Sequence, residues 1–207
     1  TFPDQLKKNI AVLIVGDGEH RKVLEQQTKH HHLEQIVKFV GRVPLEEVSS
    51  YYSLIDISPF PRISAEVCEM ISPLKPLEAM AMGSVVLASN VRAIAEHVIP
   101  GRNGILFEKE SSIDLASKLK HLISNPDEIA ALSRQARDWV EKRRNWPLIT
   151  SFIENVYDYL LNKKDLEHWQ LDVLPAILRD GSLTGIPLEP HELLLQGPYI
   201  PNALEEM

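Results

Sequence analysis

Apolar and polar positions along this chain fall into blocks of two lengths, short apolar runs and longer mixed segments. Residues 10–15 (IAVLIV) form an unbroken, β-branched run, the pattern of a strand buried on both faces. Gly16-Asp17-Gly18 breaks it, and 19–29 follows as a polar helix. A second strand is predicted over 36–40, ended by Gly41; 45–54 (LEEVSSYYSL) reads as a short helix and 55–59 as a third strand stopped by proline. Residues 60–73 read as irregular. The next helix opens at Pro76, because proline disfavours helical geometry in the residue before it, Lys75. Residues 85–89 (VVLAS) and 104–107 supply the fourth and fifth strands. The 111–124 segment is amphipathic, with Ile113, Ala116, Leu119 and Ile123 as its core stripe. Asn125-Pro126-Asp127-Glu128 combines an N-cap, a first-position proline and a capping-box glutamate, and predicts a helix to Arg144. After Trp146-Pro147, residues 149–161 form the last predicted helix.

Strands alternating with helices predict an α/β fold with a doubly wound, Rossmann-like parallel sheet. Past residue 161 the pattern dissolves, with Pro175, Pro187, Pro190, Pro198 and Pro201 among leucines and acids. The expected organisation is therefore one domain over 1–161 and a proline-rich extension over 162–207. At 207 residues and 44% hydrophobic, the chain can bury one core. Its net charge of −7 argues against an extended nucleic-acid footprint, so an anionic small ligand would need a local basic spot. A single cysteine, Cys68, excludes an internal disulfide and a cysteine zinc cluster, which suits a reducing cytoplasm. No apolar run approaches the roughly 20 residues of a membrane span. Thr1 opens the chain almost inside a strand, which predicts a piece of a longer polypeptide lacking a first strand–helix unit.

The stretch ISPLKPLEAMAMG, residues 71–83, carries the candidate chemistry. Ligands of open parallel sheets bind beyond the carboxyl ends of strands, often on helix N-termini whose free N–H groups suit phosphate. Prolines belong where no intrahelical N–H is needed, so the amides of Leu74 and Lys75 can turn outward, with the Lys75 ammonium beside them. Ala79 and Ala81 allow close helix–sheet packing, and Gly83 is a natural left-handed terminator.

Four stretches in order, LIVGDGEHR (13–21), VKFVGRVPLEEVSSYYSLIDISPFP (37–61), PLKPLEAMAMGSVVLASN (73–90) and EHVIPGRNGILF (96–107), resemble the group-1, retaining nucleotide-sugar glycosyltransferases of the GT-B fold. The resemblance covers roughly residues 10–160 and implies the C-terminal, donor-binding half of such an enzyme. It implies that Glu78 binds the donor ribose, that Ser72 and Leu74 lie in the phosphate loop, and that Gly41-Arg42-Val43 lies against the base, with Gly16 in the neighbouring strand-end turn. Lys75 and Arg62 would neutralise the diphosphate. The family's first acid, eight residues before Glu78, falls on Met70; Glu69, one residue upstream, is the available substitute. The implied reaction transfers a sugar from a UDP- or GDP-sugar to a hydroxyl acceptor, with no cofactor and no metal. Acceptor binding, and any membrane-surface contact, would reside in an N-terminal half outside this chain, so the fragment alone should be inactive. The alternatives are a non-catalytic or degenerate subunit acting in assembly, or a sugar-nucleotide epimerase.

Each of these residues also has a plainer reading. Glu78 can be a capping-box carboxylate, and Lys75 a solvated lysine. Arg62 either faces phosphates or pairs with Glu66 or Glu69, and Glu69 can be a surface acid. Asp17 fits a turn residue. The run His30-His31-His32 does not suit a metal, because consecutive residues do not face one ion from a helix.

Overall fold

The computed structural model describes residues 10–147, 149, 150, 153, 154 and 157. The predicted 149–161 helix lies largely outside the described residues, and the 162–207 extension entirely so. The chain divides into two compact units, Thr1–Arg137 and Asp138–Met207. The candidate site belongs to the first.

Five parallel strands carry that unit: β1 (Val12–Val15), β2 (Val37–Gly41), β3 (Ile57–Phe60), β4 (Val85–Ser89) and β5 (Ile105–Phe107). They form two hydrogen-bonded sheets, β1-β2 and β3-β4-β5, and among the described residues no ladder joins the two. Between them run α1 (Arg21–His30), a 3₁₀ turn at Leu45–Glu47, α2 (Val48–Tyr52), α3 (Glu66–Met70), α4 (Lys75–Ala81) and α5 (Arg92–Ala95), and α6 (Ser112–Ile123) and α7 (Pro126–Arg143) follow β5.

β4 is the central strand of its sheet, and each of its five residues is buried. Val85 and Leu87 meet Phe107, Leu122 and Leu132 in one core cluster, against which Ile57, Ile105, Leu115, Leu119 and Ile129 pack. Burial of this kind, roughly 25 cal/mol per Å² of apolar surface, drives the fold. Ser58 on β3 and Ser84 before β4 bury their hydroxyls by bonding to each other at 2.8 Å, so neither is left unsatisfied.

Local chemistry sets the helix ends. Pro76, Ala79 and Met80 form the buried face of α4. Gly83 ends it at φ +80, the left-handed geometry expected of that glycine, and the Ser84 amide reaches back to the Ala79 carbonyl. Ser111 caps α6 by accepting from the Asp114 amide. Pro126 is the first residue of α7, as predicted.

Several expectations are corrected. β1 is not buried on both faces: Val12 is exposed and the rest half-buried. An apolar run is covered only if an apolar layer exists to cover it, and α1, a polar sequence, buries no residue. Residues 60–73 contain α3, a single turn and a half packed against α5. α4 starts at Lys75 rather than Pro76. The core stripe of α6 is Leu115, Leu119 and Leu122, whereas Ile113 is 83% exposed and Ala116 is on the surface. Both stripes contain Leu119 and both keep helical spacing, so only the position of the neighbouring strand chooses between them. Glu128 does not close a capping box; its carboxylate pairs with His121 at 2.7 Å.

Candidate donor site

The residues singled out in the sequence fall into two groups, each just beyond the carboxyl end of a parallel strand. The first group follows β1 and β2. Gly16, at φ +134, donates its amide to the carbonyl of Gly41, at φ +87, with an N···O distance of 2.7 Å. Both glycines occupy backbone geometry that a side chain disfavours. A Cβ on Gly41 would also lie 3.2 Å from the Arg21 guanidinium. Asp17 turns the chain by accepting from the Gly18 amide, the turn role expected of it. Arg42 follows as an exposed cation, and Val43 is half-buried.

The second group follows β3. The Arg62 amide donates to the Ser89 hydroxyl at 2.8 Å, and that hydroxyl faces the Phe60 carbonyl, so the ends of β3 and β4 are clamped together. The Arg62 guanidinium takes neither predicted carboxylate; its Nη1 lies 3.8 Å from the Cys68 sulfur. Lys75 is exposed at the first position of α4, with no ion pair among the described residues. Ser72, on the approach to α4, bonds the His97 ring.

Glu78 sits in the first turn of α4, yet the helix start receives no side-chain cap. Its carboxylate instead accepts from the Tyr52 hydroxyl at 3.4 Å, which excludes the capping-box reading. Tyr52 is the last residue of α2, the helix between β2 and β3. Partial burial first, then the adjacent Glu78 charge, raise its phenol to about 12.

Glu69 is the most heavily engaged acid here. One carboxylate oxygen accepts from Lys109 Nζ at 2.7 Å and from the Ser64 hydroxyl at 2.8 Å; the other accepts from the Arg92 amide at 2.7 Å. The Arg92 amide, then Lys109 and Ser64, lower its carboxyl to about 2. A depressed carboxyl stabilises the fold above its unfolded value near 4.5 and loses that contribution as pH falls through about 2. Between those limits, Glu69→Gln is expected to flatten the acid-unfolding curve measured by circular dichroism; an unchanged curve would contradict the network.

Tyr52, Ser64, Lys109 and the Ser72–His97 contact carry no signal in the sequence reading. Lys109 stands between Glu108 and Glu110 in a charged turn, and its partner Glu69 is 40 positions away. Met70, where the resemblance expects an acid, is 67% exposed. Among the described residues no three His, Cys, Asp or Glu side chains are grouped to hold a metal ion, and no helix is long and apolar enough to cross a membrane.

The sequence profile described as Glycosyl transferases group 1 matches residues 1–139. The chain belongs to the group 1 glycosyl transferases. An uncharacterised glycosyltransferase of Methanocaldococcus jannaschii is 29% identical over 147 residues, which are 71% of this chain and 40% of that protein. Anabaena HepE, solved in complex with UDP, superposes with a TM-score of 0.67 at 23% identity, over 76% of this chain and 42% of HepE. Sucrose-phosphate synthase from Thermosynechococcus elongatus gives 0.63 at 27% identity, over 72% of this chain and 38% of the synthase. The chain thus spans about two-fifths of the length of these proteins. The α/β architecture with parallel strands is theirs.

Proposed function

We propose that this chain is the donor-binding part of a retaining glycosyltransferase that moves a sugar from a nucleoside diphosphate to a hydroxyl acceptor. The observation that carries the proposal is the exposed Lys75 at the entry of α4, beyond β3, in a chain whose profile match is to the group 1 glycosyl transferases. UDP bound to HepE, a fold neighbour, supports a uridine or similar donor. As the sugar departs, negative charge builds on the diphosphate. Fixed cations and amides aimed at that charge lower the barrier without reorganising during the reaction. In this reading Lys75 and Arg62 meet the phosphates, with the amides of Ser72 and Leu74 beside them. Glu78, oriented by Tyr52, takes the ribose hydroxyls. Gly16, Gly41, Arg42 and Val43 border the base, where bare backbone allows close approach.

Glu69 stays out of direct sugar contact in this reading, because its carboxylate already takes three protein donors. The reaction as proposed uses no metal and no cofactor, its positive charge coming from side chains. The acceptor, any membrane-surface contact and a cytoplasmic setting belong to the proposal for the whole protein, with acceptor binding in a partner half outside this chain.

Met70 in the place of an acid favours one other reading, a group 1 member that keeps the fold but has lost turnover. Calorimetric titration of the full-length protein with UDP and with GDP separates the two. Binding of one diphosphate in the micromolar range, about −8 kcal/mol, is expected of a transferase. Binding of neither would leave the non-catalytic reading.

A further inference from the structure

The segment between β3 and α4, residues 61–74, is bound at several points to the end of β4 and to the chain that follows β4 and β5. The Arg62 amide is held by Ser89 at its start. The Ser64 amide donates to Glu110 at 3.2 Å, and the Ser64 hydroxyl to Glu69. Glu69 on α3 takes the Lys109 ammonium from the turn after β5 and the Arg92 amide at the start of α5. Near the segment's end, Ser72 meets His97. The segment carries little apolar anchorage of its own: Ile63, Val67, Met70, Ile71 and Leu74 are all more than half exposed. A stretch of chain whose apolar side chains face solvent is not held by burial, so its shape depends on its polar contacts. Glu69 is the hub, because its one carboxylate takes Ser64 of the same segment and joins two distant parts of the chain, at Arg92 and Lys109.

We propose that Glu69, through Lys109 and the Arg92 amide, is a positioning residue that locks residues 61–74 in the conformation presenting Arg62 and Lys75 together to a diphosphate. The part concerning the diphosphate rests on the donor reading above; the lock itself does not. Glu69 then acts through its neighbours and touches no substrate. Glu108 and Glu110 also face the Lys109 ammonium, which joins their turn to Glu69.

The sequence supplies a probe. Between Arg62 and Lys75 there is no other Lys or Arg, and the Lys75–Pro76 bond resists trypsin. Cleavage after Arg62 therefore reports opening of this segment in the full-length protein. Glu69→Gln and Lys109→Met are each expected to speed that cleavage roughly two- to fivefold, the range of one exposed charge pair. UDP or GDP affinity should weaken by a similar factor, and the thermal midpoint should fall by no more than about 4 °C, the loss of one exposed charge pair. The double variant should be no worse than the weaker single, and Lys109→Arg should restore wild-type behaviour, which loss of generic stability would not produce. Additive effects, or unchanged cleavage in both single variants, would overturn the lock. If neither nucleotide binds the wild type while cleavage is coupled as described, the donor reading falls and the lock stands. If the wild type and variants bind nucleotide alike, the lock does not position Arg62 and Lys75 for a diphosphate, that part of the proposal is overturned, and the donor reading stands.

Discussion

Lys75→Ala is expected to reduce release of UDP or GDP from a sugar donor by about 100-fold, the usual cost of removing one donor aimed at developing charge. Two features of the fold make this variant informative. The ammonium is exposed and forms no ion pair among the described residues, so its loss removes no internal contact. Stability should therefore stay within about 0.5 kcal/mol of wild type, as for an ordinary surface substitution. Pro76 and Met80, which anchor the same helix, are buried and untouched. Lys75→Arg keeps the charge but changes its shape and reach, and partial activity is expected of it. The measurement is steady-state diphosphate release by the full-length protein alongside a thermal melt. Wild-type turnover in Lys75→Ala would remove the phosphate role and, with it, the main chemical support for donor binding.

A large stability effect is expected in the core of the unit. Leu87→Ala should cost about 2–5 kcal/mol, because it cuts a cavity in a strand that cannot collapse around it. Leu87 is 0% exposed and pairs in register with Pro59 on β3 and Ile105 on β5. With neighbours on both edges, β4 cannot shift to fill the void. The thermal midpoint should fall by roughly 10 °C at 2–4 °C per kcal/mol for a chain of this size. Ile113→Ala is the matched control: its side chain is 83% exposed, and its effect should be near zero. Equal losses at the two positions would mean that the α6 stripe has been assigned to the wrong face.

The contrast between those two residues also shows which kind of information a sequence carries. Elements bounded by backbone chemistry were readable: 85–89 is β4 to the residue, Gly83 takes the left-handed turn, and Pro126 opens α7. Proline and glycine act within a few bonds of themselves, so their neighbours suffice. Burial was less readable, because it depends on what lies opposite. Residues 10–15 look like an interior strand, but α1 offers no buried side chain to cover them. α3 is only five residues long and too short to display a helical period. At the candidate site, the residue types near Lys75 could be picked out, and the turn at Gly16 and Gly41 likewise. The ties of Glu69 could not, since Arg92 and Lys109 reach it across 23 and 40 positions. Tyr52 meets Glu78 across 26 positions for the same reason.

The turn that delivers β5 has a chemical consequence of its own. Asn103 is wholly buried; its side-chain oxygen accepts from the Ile99 amide and its NH₂ donates to the His97 carbonyl. Gly104 follows, with no room for a Cβ against the Val86 carbonyl 2.9 Å away. An Asn–Gly pair is the dipeptide most given to deamidation, in which the following backbone nitrogen attacks the side-chain carbonyl carbon, expels the side-chain nitrogen as ammonia and closes an imide ring. Here the amide is gripped from both ends and shielded from water, and the glycine is seated against a neighbouring strand. The sequence that would ordinarily be the chain's ageing clock is stopped by the same packing that requires it.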